Sequence, residues 1–369
     1  MKIGIHCRSI VNRNYTGIGR YTWNLFQHLA KIDSENRYLL YVPRALFHLR
    51  RRTPKVNAKN FFVKVDHFKA GVEKTLGKID VYHSPSPDDI SVNGAKMVVT
   101  VHDLIYKTFP QGHTDTACAE TDRKIAFSVK NARKIICCSQ NTIADLKKYF
   151  SVEEGKIELI YQGIDHQMFY QLSPSEKPRA KALLRLKGIQ DPFILFVGTI
   201  EPRKNLKNLL VAFSKLKDQG LFKGKLVAAG MKGWLSEDIA NIIKKYQLET
   251  EVLFPGFVTD EELRALYNEA EVFVFPSFYE GFGFPIIEAF SCGAPVVTSQ
   301  ISSCPEVAQD AAALVDPYNP DDLYAKIVRV LNDRVYREEL SQKGFKRAQD
   351  FNFEKTARET LKIYQSLKQ

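Results

Sequence analysis

The strongest constraint on what this chain can fold into is a rhythm in its apolar residues that runs through twice. Short, β-branched runs at 2–7, 38–42, 61–65, 81–83, 96–101, 134–138 and 157–161 predict strands, with amphipathic stretches such as 21–31, 117–131 and 140–149 between them. The pattern then restarts, with runs at 193–198, 225–229, 252–254, 272–275, 295–298 and 313–315 alternating with further helical stretches. Runs without polar alternation belong to strands buried on both faces, as in parallel sheets covered by helices. Two such series in tandem predict an α/β protein of two doubly wound, Rossmann-like domains.

A length of 369 residues suits that division. The break is expected in 171–179 (QLSPSEKPR), where two prolines and polar residues interrupt the periodicity. Domains are therefore expected at 1–172 and 173–350, with a closing helix at 351–369 that returns to the first domain. In the helical region 334–368, Leu340, Phe345, Phe351, Phe353, Leu361 and Tyr364 are candidate buried positions. A hydrophobic share of 44% and a charged share of 26% exclude a mainly disordered chain. The sequence has no apolar run of about eighteen residues, and its start (MKIGIHCRSI) turns polar too early for a signal peptide. Six scattered cysteines with no Cys-x-x-Cys pair argue against a zinc site or disulfide framework, and for a reducing, cytoplasmic setting.

Ligands of doubly wound folds bind beyond the carboxyl ends of the strands, so the chemistry is sought in the loops that follow each run. The first such loop ends in TGIGRY at 16–21, where Gly17 and Gly19 precede a helix and let backbone N–H groups approach an oxyanion. The dinucleotide fingerprint is incomplete, because Thr22 stands where a third glycine would be and no acidic residue ends the 38–42 run. A tight strand-to-helix turn would use the same glycines. The loop after 193–198 reads GTIEPRKNL, with Arg203 and Lys204 side by side before a helix that begins near Asn205. Arginine supplies planar multidentate contacts to a diphosphate and lysine a point charge; a solvated basic turn is the simpler alternative. The third loop, FPSFYEGFGFPIIEAFSCGAP at 275–295, carries Glu280 and Glu288 on either side of Gly281, Phe282, Gly283 and Phe284. Pro285 is placed to open a helix and Gly293 to close it. Paired carboxylates around such a loop can accept sugar or ribose hydroxyls while backbone N–H groups hold phosphate. In VVTVHDL at 98–104, His102 ends an apolar run beside Asp103, where a histidine has no packing advantage.

With EPRKNL and EGFGFPIIE in one chain, the sequence resembles the large family of retaining, nucleotide-sugar-dependent glycosyltransferases of the GT-B fold (family 4 type), which includes bacterial mannosyl- and glucosyltransferases of surface-polysaccharide assembly. The resemblance covers essentially the whole chain and implies two Rossmann-like domains facing a central cleft. It implies that Arg203 and Lys204 bind the donor diphosphate with help from N–H groups of Gly281, Phe282, Gly283 and Phe284. By the same resemblance Glu280 contacts the donor sugar, Glu288 the ribose, Glu201 orients the basic pair or the sugar, and the backbone of Phe257 and Val258 meets the nucleobase. Gly17 and Gly19 approach the phosphates, and His102 lines the reaction centre. Thr199 departs from the arginine that many relatives carry there, so that one phosphate contact is absent or supplied elsewhere. The family implies transfer of a hexose, with GDP-mannose favoured over UDP-sugars, onto a glycan or lipid-linked glycan. No Asp-x-Asp occurs, so no metal cofactor is expected.

A Rossmann dehydrogenase, a nucleotide-sugar epimerase and a basic nucleic-acid-binding protein are the competing classes. The incomplete fingerprint argues against the first and the Glu-x7-Glu element against the second. The sequence contains no zinc finger, RNA-recognition motif or basic zipper to support the third. The net charge of +11 is nonetheless uneven: residues 1–180 hold 28 basic and 17 acidic residues, and 181–369 hold 25 of each. Eight basic residues (Arg44, Arg50, Arg51, Arg52, Lys55, Lys59, Lys64 and Lys69) against Asp66 concentrate the excess, with Phe47, Leu49, Phe61, Phe62 and Phe68 interspersed. Such a stretch serves either as a solvated face or as a contact to an anionic membrane surface, and the latter predicts peripheral attachment to the inner face of a membrane.

Overall fold

The computed structural model describes residues 1–11, 17–43, 54–67, 70–190, 192–231 and 236–368. They form two compact units. One comprises Met1–Lys107, His113–Gly163 and Asn352–Gln369; the other comprises Thr108–Gly112 and Ile164–Phe351. The chain thus passes between units at Gly163, ahead of the proline-containing 171–179 stretch, and passes back after Phe351.

The first unit holds a parallel sheet of seven strands: β1 (Lys2–His6), β2 (Arg37–Pro43), β3 (Phe61–Asp66), β4 (Val81–Ser84), β5 (Lys96–Val101), β6 (Lys134–Cys137) and β7 (Ile157–Leu159). Their spatial order is β3-β2-β1-β4-β5-β6-β7, with register pairs such as Ile5↔His83 and Val99↔Ile135. Every residue of β5 from Met97 onward is buried, which explains the unbroken apolar run. The second unit holds β8 (Phe193–Val197), β9 (Lys225–Ala229), β10 (Val252–Gly256), β11 (Val272–Phe275), β12 (Val296–Ser299) and β13 (Ala313–Val315), in the order β10-β9-β8-β11-β12-β13. In each sheet the order reverses once, between β1 and β4 and between β8 and β11. The loops after those strands therefore diverge and leave room for a ligand.

The closing region divides into helices Arg334–Ala348 and Phe353–Ser366. The first presents Leu340, Gly344 and Ala348 to the second unit, spaced four residues apart. Gly344 is required there, because a Cβ would lie 2.5 Å from the Phe290 ring. Phe345, an expected buried position, is one step off that stripe and is 42% exposed; Leu361 is only half-buried. The last helix packs on Gly17–Ile32 of the first unit, with Phe353, Ala357 and Tyr364 fully enclosed.

Of the basic stretch, Lys55, Lys59 and Lys64 are exposed, whereas Asp66 is buried and accepts the Tyr41 hydroxyl at 2.9 Å. Phe61 stacks on Tyr38 and Phe62 lies under the Arg37 guanidinium. Arg44, Phe47, Leu49, Arg50, Arg51, Arg52, Phe68 and Lys69 lie outside the described residues.

Candidate active site

In the second unit the loops after β8 and β11 bring four charged residues together at the reversal point of the sheet. After Gly198 the chain makes a short helical turn, Pro202–Lys204, and Asn205 takes a left-handed conformation (φ 59°) before helix Leu206–Asp218 begins. Asparagine suits that position because its side-chain amide donates to the carbonyls of Pro276 and Pro317, at 2.9 and 2.8 Å. The turn aims Arg203 and Lys204 at the loop after β11, where the Phe278 N–H donates to the Arg203 carbonyl.

Glu280 is the common partner. Its Oε1 lies 2.7 Å from Lys204 Nζ and its Oε2 2.9 Å from Arg203 Nη1. Arg203 also donates to the Tyr279 carbonyl at 2.9 Å and to Glu201. Lys204 and Glu280 are both buried, and the ammonium sits 4.8 Å from the Phe275 ring centre. Burial alone would push the Glu280 carboxyl up, but Arg203 and Lys204 outweigh it and hold the group below the usual carboxylate range. Burial, with Arg203 nearby, pushes the Lys204 ammonium down despite the opposing pull of Glu280. The result is a cluster of two cations and two anions, Lys204 and Glu280 buried and Arg203 and Glu201 partly exposed, whose geometry is set before any ligand arrives.

The loop that carries Glu280 is held by residues the sequence had not marked. Ser302 Oγ accepts the Glu280 N–H at 2.9 Å and donates to the Glu280 carbonyl at 2.7 Å. Ser303 Oγ reaches the carbonyls of Glu280 and Phe282, and Ser299 Oγ donates to that of Ser277 at 2.6 Å. The run SQISSC after β12 was the available signal. Gly281, Phe282 and Gly283 follow, and Gly283 (φ 111°) caps helix Phe284–Ser291. Glu288, one turn into that helix, is buried and accepts the Tyr267 hydroxyl at 3.0 Å.

The floor of this region is glycine. Gly198, Gly230 and Gly256 end β8, β9 and β10 side by side, and a Cβ on Gly230 (φ 152°) would fall 2.0 Å from the Gly198 carbonyl oxygen. Phe257 follows β10 and is 61% exposed, with Val258 half-buried next to it. Thr199 is half-buried after Gly198. A cavity of about 310 Å³ is lined by Glu201, Asn205, Asn208, Asp238 and Phe278.

The first unit holds the remaining predicted residues. Gly17 and Gly19 open helix Gly17–Ile32. Thr22 occupies the missing-glycine position, donating to the Ile18 carbonyl at 2.8 Å and accepting the Ser9 hydroxyl at 3.0 Å. His102 follows β5: its Nε2 is 2.7 Å from the Pro85 carbonyl, its Nδ1 is 2.6 Å from Gln162 Nε2, and its ring meets Tyr21 edge-on at 4.9 Å. At the reversal point of this sheet lies a buried pair that sequence reasoning passed over, His6 Nδ1 with Asp88 Oδ2 at 3.0 Å. Asp88 also accepts from Ser84 at 2.6 Å and from Tyr82 at 3.1 Å. Among the described residues no group of three or more His, Cys, Asp and Glu side chains could hold a metal ion, and no helix is long and apolar enough to cross a membrane.

Two family models match, Glycosyltransferase Family 4 over residues 15–168 and Glycosyl transferases group 1 over 185–347. The O-antigen chain mannosyltransferase B of Escherichia coli is 31% identical over 78% of this chain and 74% of its own length. The serotype-specific mannosyltransferase WbdA of Escherichia coli is 30% identical over 62% of this chain, which spans only 28% of that longer protein. Among solved structures, a sucrose-phosphate synthase from Thermosynechococcus elongatus superposes with a TM-score of 0.79 at 21% identity, covering 99% of this chain and 98% of that one. At that identity the likeness shows the fold alone, the two-domain GT-B architecture.

Proposed function

From the premise that this chain belongs to the Family 4 and group 1 glycosyltransferases, and so is a glycosyl-transferring enzyme, we propose that it moves a hexose from a nucleotide diphosphate sugar onto a glycan or lipid-linked glycan. GDP-mannose is the favoured donor, on the strength of the family motifs and of the mannosyltransferases among the relatives. The family assignment selects transfer over the epimerase alternative.

The observation that carries the reading is the Arg203–Lys204–Glu280 cluster, with Lys204 and Glu280 buried, at the reversal point of the second sheet. As the bond between the anomeric carbon and the phosphate oxygen breaks, positive charge grows on the carbon and negative charge on the leaving diphosphate. Cations fixed in a desolvated site stabilise the second of these most at the transition state, which is the condition for acceleration rather than mere binding. In this reading Arg203 and Lys204 take the diphosphate without a metal, helped by N–H groups of Gly281, Phe282, Gly283 and Phe284. Glu280 sets the two cations and faces the sugar, Glu201 steadies Arg203, and Glu288 takes the ribose. Phe257 and Val258 take the base, while Gly17 and Gly19 belong to the phosphates and His102 to the transferred sugar. Transfer is read as retaining: the acceptor oxygen bonds to the anomeric carbon from the face the diphosphate leaves, and its proton passes to the departing phosphate oxygen.

The test is a panel of GDP- and UDP-sugars, with nucleotide release followed with and without EDTA and the anomer identified by NMR. GDP-mannose should be turned over, in EDTA as well, and Glu280→Ala should abolish turnover. No donor turned over in the panel, together with stabilisation by an oligonucleotide but by no nucleotide, would sink the reading.

A further inference from the structure

His102 ends β5 with both ring nitrogens already engaged, and the two partners are not equivalent. The Pro85 carbonyl can only accept, so Nε2 carries a proton and donates to it at 2.7 Å. On the other side Gln162 presents its amide nitrogen 2.6 Å from Nδ1. An amide N–H donates, so Nδ1 receives it through a bare lone pair. Turning the amide over would set its oxygen against that lone pair. Gln162 Oε1 has no protein partner to hold it elsewhere, so the bond to Nδ1 is what orients the group.

The backbone on either side of Gln162 is clamped. Tyr161 accepts the Thr356 hydroxyl at 2.8 Å, and Gly163 presses so closely on the returning chain that a Cβ there would lie 2.2 Å from Phe353 N. The Gln162 side chain is buried and has no freedom to leave the ring. From this geometry we infer that Gln162 is the positioning residue of His102, keeping Nδ1 bare beside the Nε2–H that Pro85 holds, so that the ring meets the transferred sugar as a fixed, uncharged wall rather than as an acid or base. The inference rests on the reading of His102 as a sugar-lining residue.

Other groups face the ring. Tyr21 abuts it, Asp103 adjoins it, the Cys138 thiol donates to the His102 carbonyl at 3.0 Å, and His83 stands close enough that His102 disfavours a proton on it. Burial is the largest influence and drives the His102 imidazole down; the Pro85 carbonyl and Asp103 only partly oppose it. A neutral ring is what the surroundings favour.

The test uses the full chain with ¹⁵N-labelled histidine, the His102 signal being identified by its loss in His102→Gln. In the wild type a bare Nδ1 and a protonated Nε2 should persist as the pH falls through about 6.5, where a free imidazole takes up its second proton. The substitution Gln162→Glu keeps the reach of the side chain but offers a carboxylate, which accepts from Nδ1–H and favours the imidazolium. The ring should then carry both protons at neutral pH, and its titration should move up. Turnover of the nucleotide sugar should fall several-fold below the new midpoint and recover above it, a limb that a merely structural role would not create. In Gln162→Met the Pro85 carbonyl still holds the proton on Nε2 but Nδ1 loses its donor, so the ring should take up a second proton at a higher pH than in the wild type, and kcat should fall several-fold with the affinity for nucleoside diphosphate unchanged. A protonated Nδ1 in the wild type overturns the proposal without any variant, and so does a Gln162→Glu spectrum identical to the wild type. If the spectra behave as described but His102→Gln keeps full activity, the Gln162–His102 pairing stands and the functional reading of His102 falls.

Discussion

Glu280 shows how much one side chain can organise at the smallest scale. Its two oxygens hold two different cations in a largely enclosed site, so removing it strands the Lys204 ammonium while Arg203 keeps Glu201. Breaking a buried pair from one side costs about 3–5 kcal/mol, and Glu280→Ala should lower stability by that order. Glu280→Gln should cost less, because an amide oxygen still accepts from Lys204. The pH dependence has a defined sign. The carboxyl sits lower in the folded protein than its unfolded value of about 4.3, so its stabilisation is complete above that pH and is lost as the pH falls through the folded value. Hydrogen-exchange protection in 193–204 and 272–291, taken relative to the intrinsic rate at each pH, should therefore fall in acid in the wild type, and much less so in Glu280→Gln; an equal fall would contradict the assignment. Arg203, Lys204, Glu280 and Glu288 were legible because each is a charge set hard against an apolar strand or helix. Their mutual pairing was not legible, nor were Gln162, Asp88 and Ser302. Those contacts join residues 60, 82 and 22 positions apart, and no local pattern encodes them.

At the scale of elements, the thirteen described strands stand where β-branched apolar runs predicted them, because burial on both faces leaves little choice of residue. Phe345 was misjudged because an aromatic in a charged helix reads as core, whereas Gly344 beside it makes the close approach to Phe290. The closing helix Phe353–Ser366 has a further role in the first unit, since Tyr364 reaches His83 Nδ1 at 2.6 Å and His83 Nε2 reaches Thr100 at 2.9 Å. Burial drives the His83 imidazole down to about 3. The unfolded chain therefore takes up that proton first, and the first unit should lose about 1.4 kcal/mol per pH unit below about pH 6.5. Tyr364→Phe leaves the ring nitrogen unsatisfied and should cost about 1–3 kcal/mol. Urea unfolding at pH 7 measures the loss, and nucleoside diphosphate affinity in the second unit should not change. A Tyr364→Phe protein as stable as the wild type would show that the hydroxyl contributes nothing and that the helix is held by its apolar face alone.

For the whole molecule the unexplained quantity is charge. The net +11 lies entirely in residues 1–180, while the half that carries the diphosphate-type cluster is balanced. A nucleotide site in the second half therefore does not account for the excess, whereas the proposed lipid-linked acceptor would, if the protein met an anionic surface through its first half. Attachment through the basic residues of this half would be electrostatic. Each basic residue at such a surface contributes about 1 kcal/mol. Changing Arg50, Arg51 and Arg52 together to glutamine should then weaken partitioning onto phosphatidylglycerol vesicles by about 100-fold, and raising salt should weaken the wild type in the same direction. Vesicles of neutral lipid should bind neither protein, and turnover of free nucleotide sugar should be the same in both, since the sequence of the second unit is unchanged. Vesicle binding indifferent to salt and to the three substitutions would mean that the excess charge serves only solubility, and that the acceptor reaches the enzyme from solution.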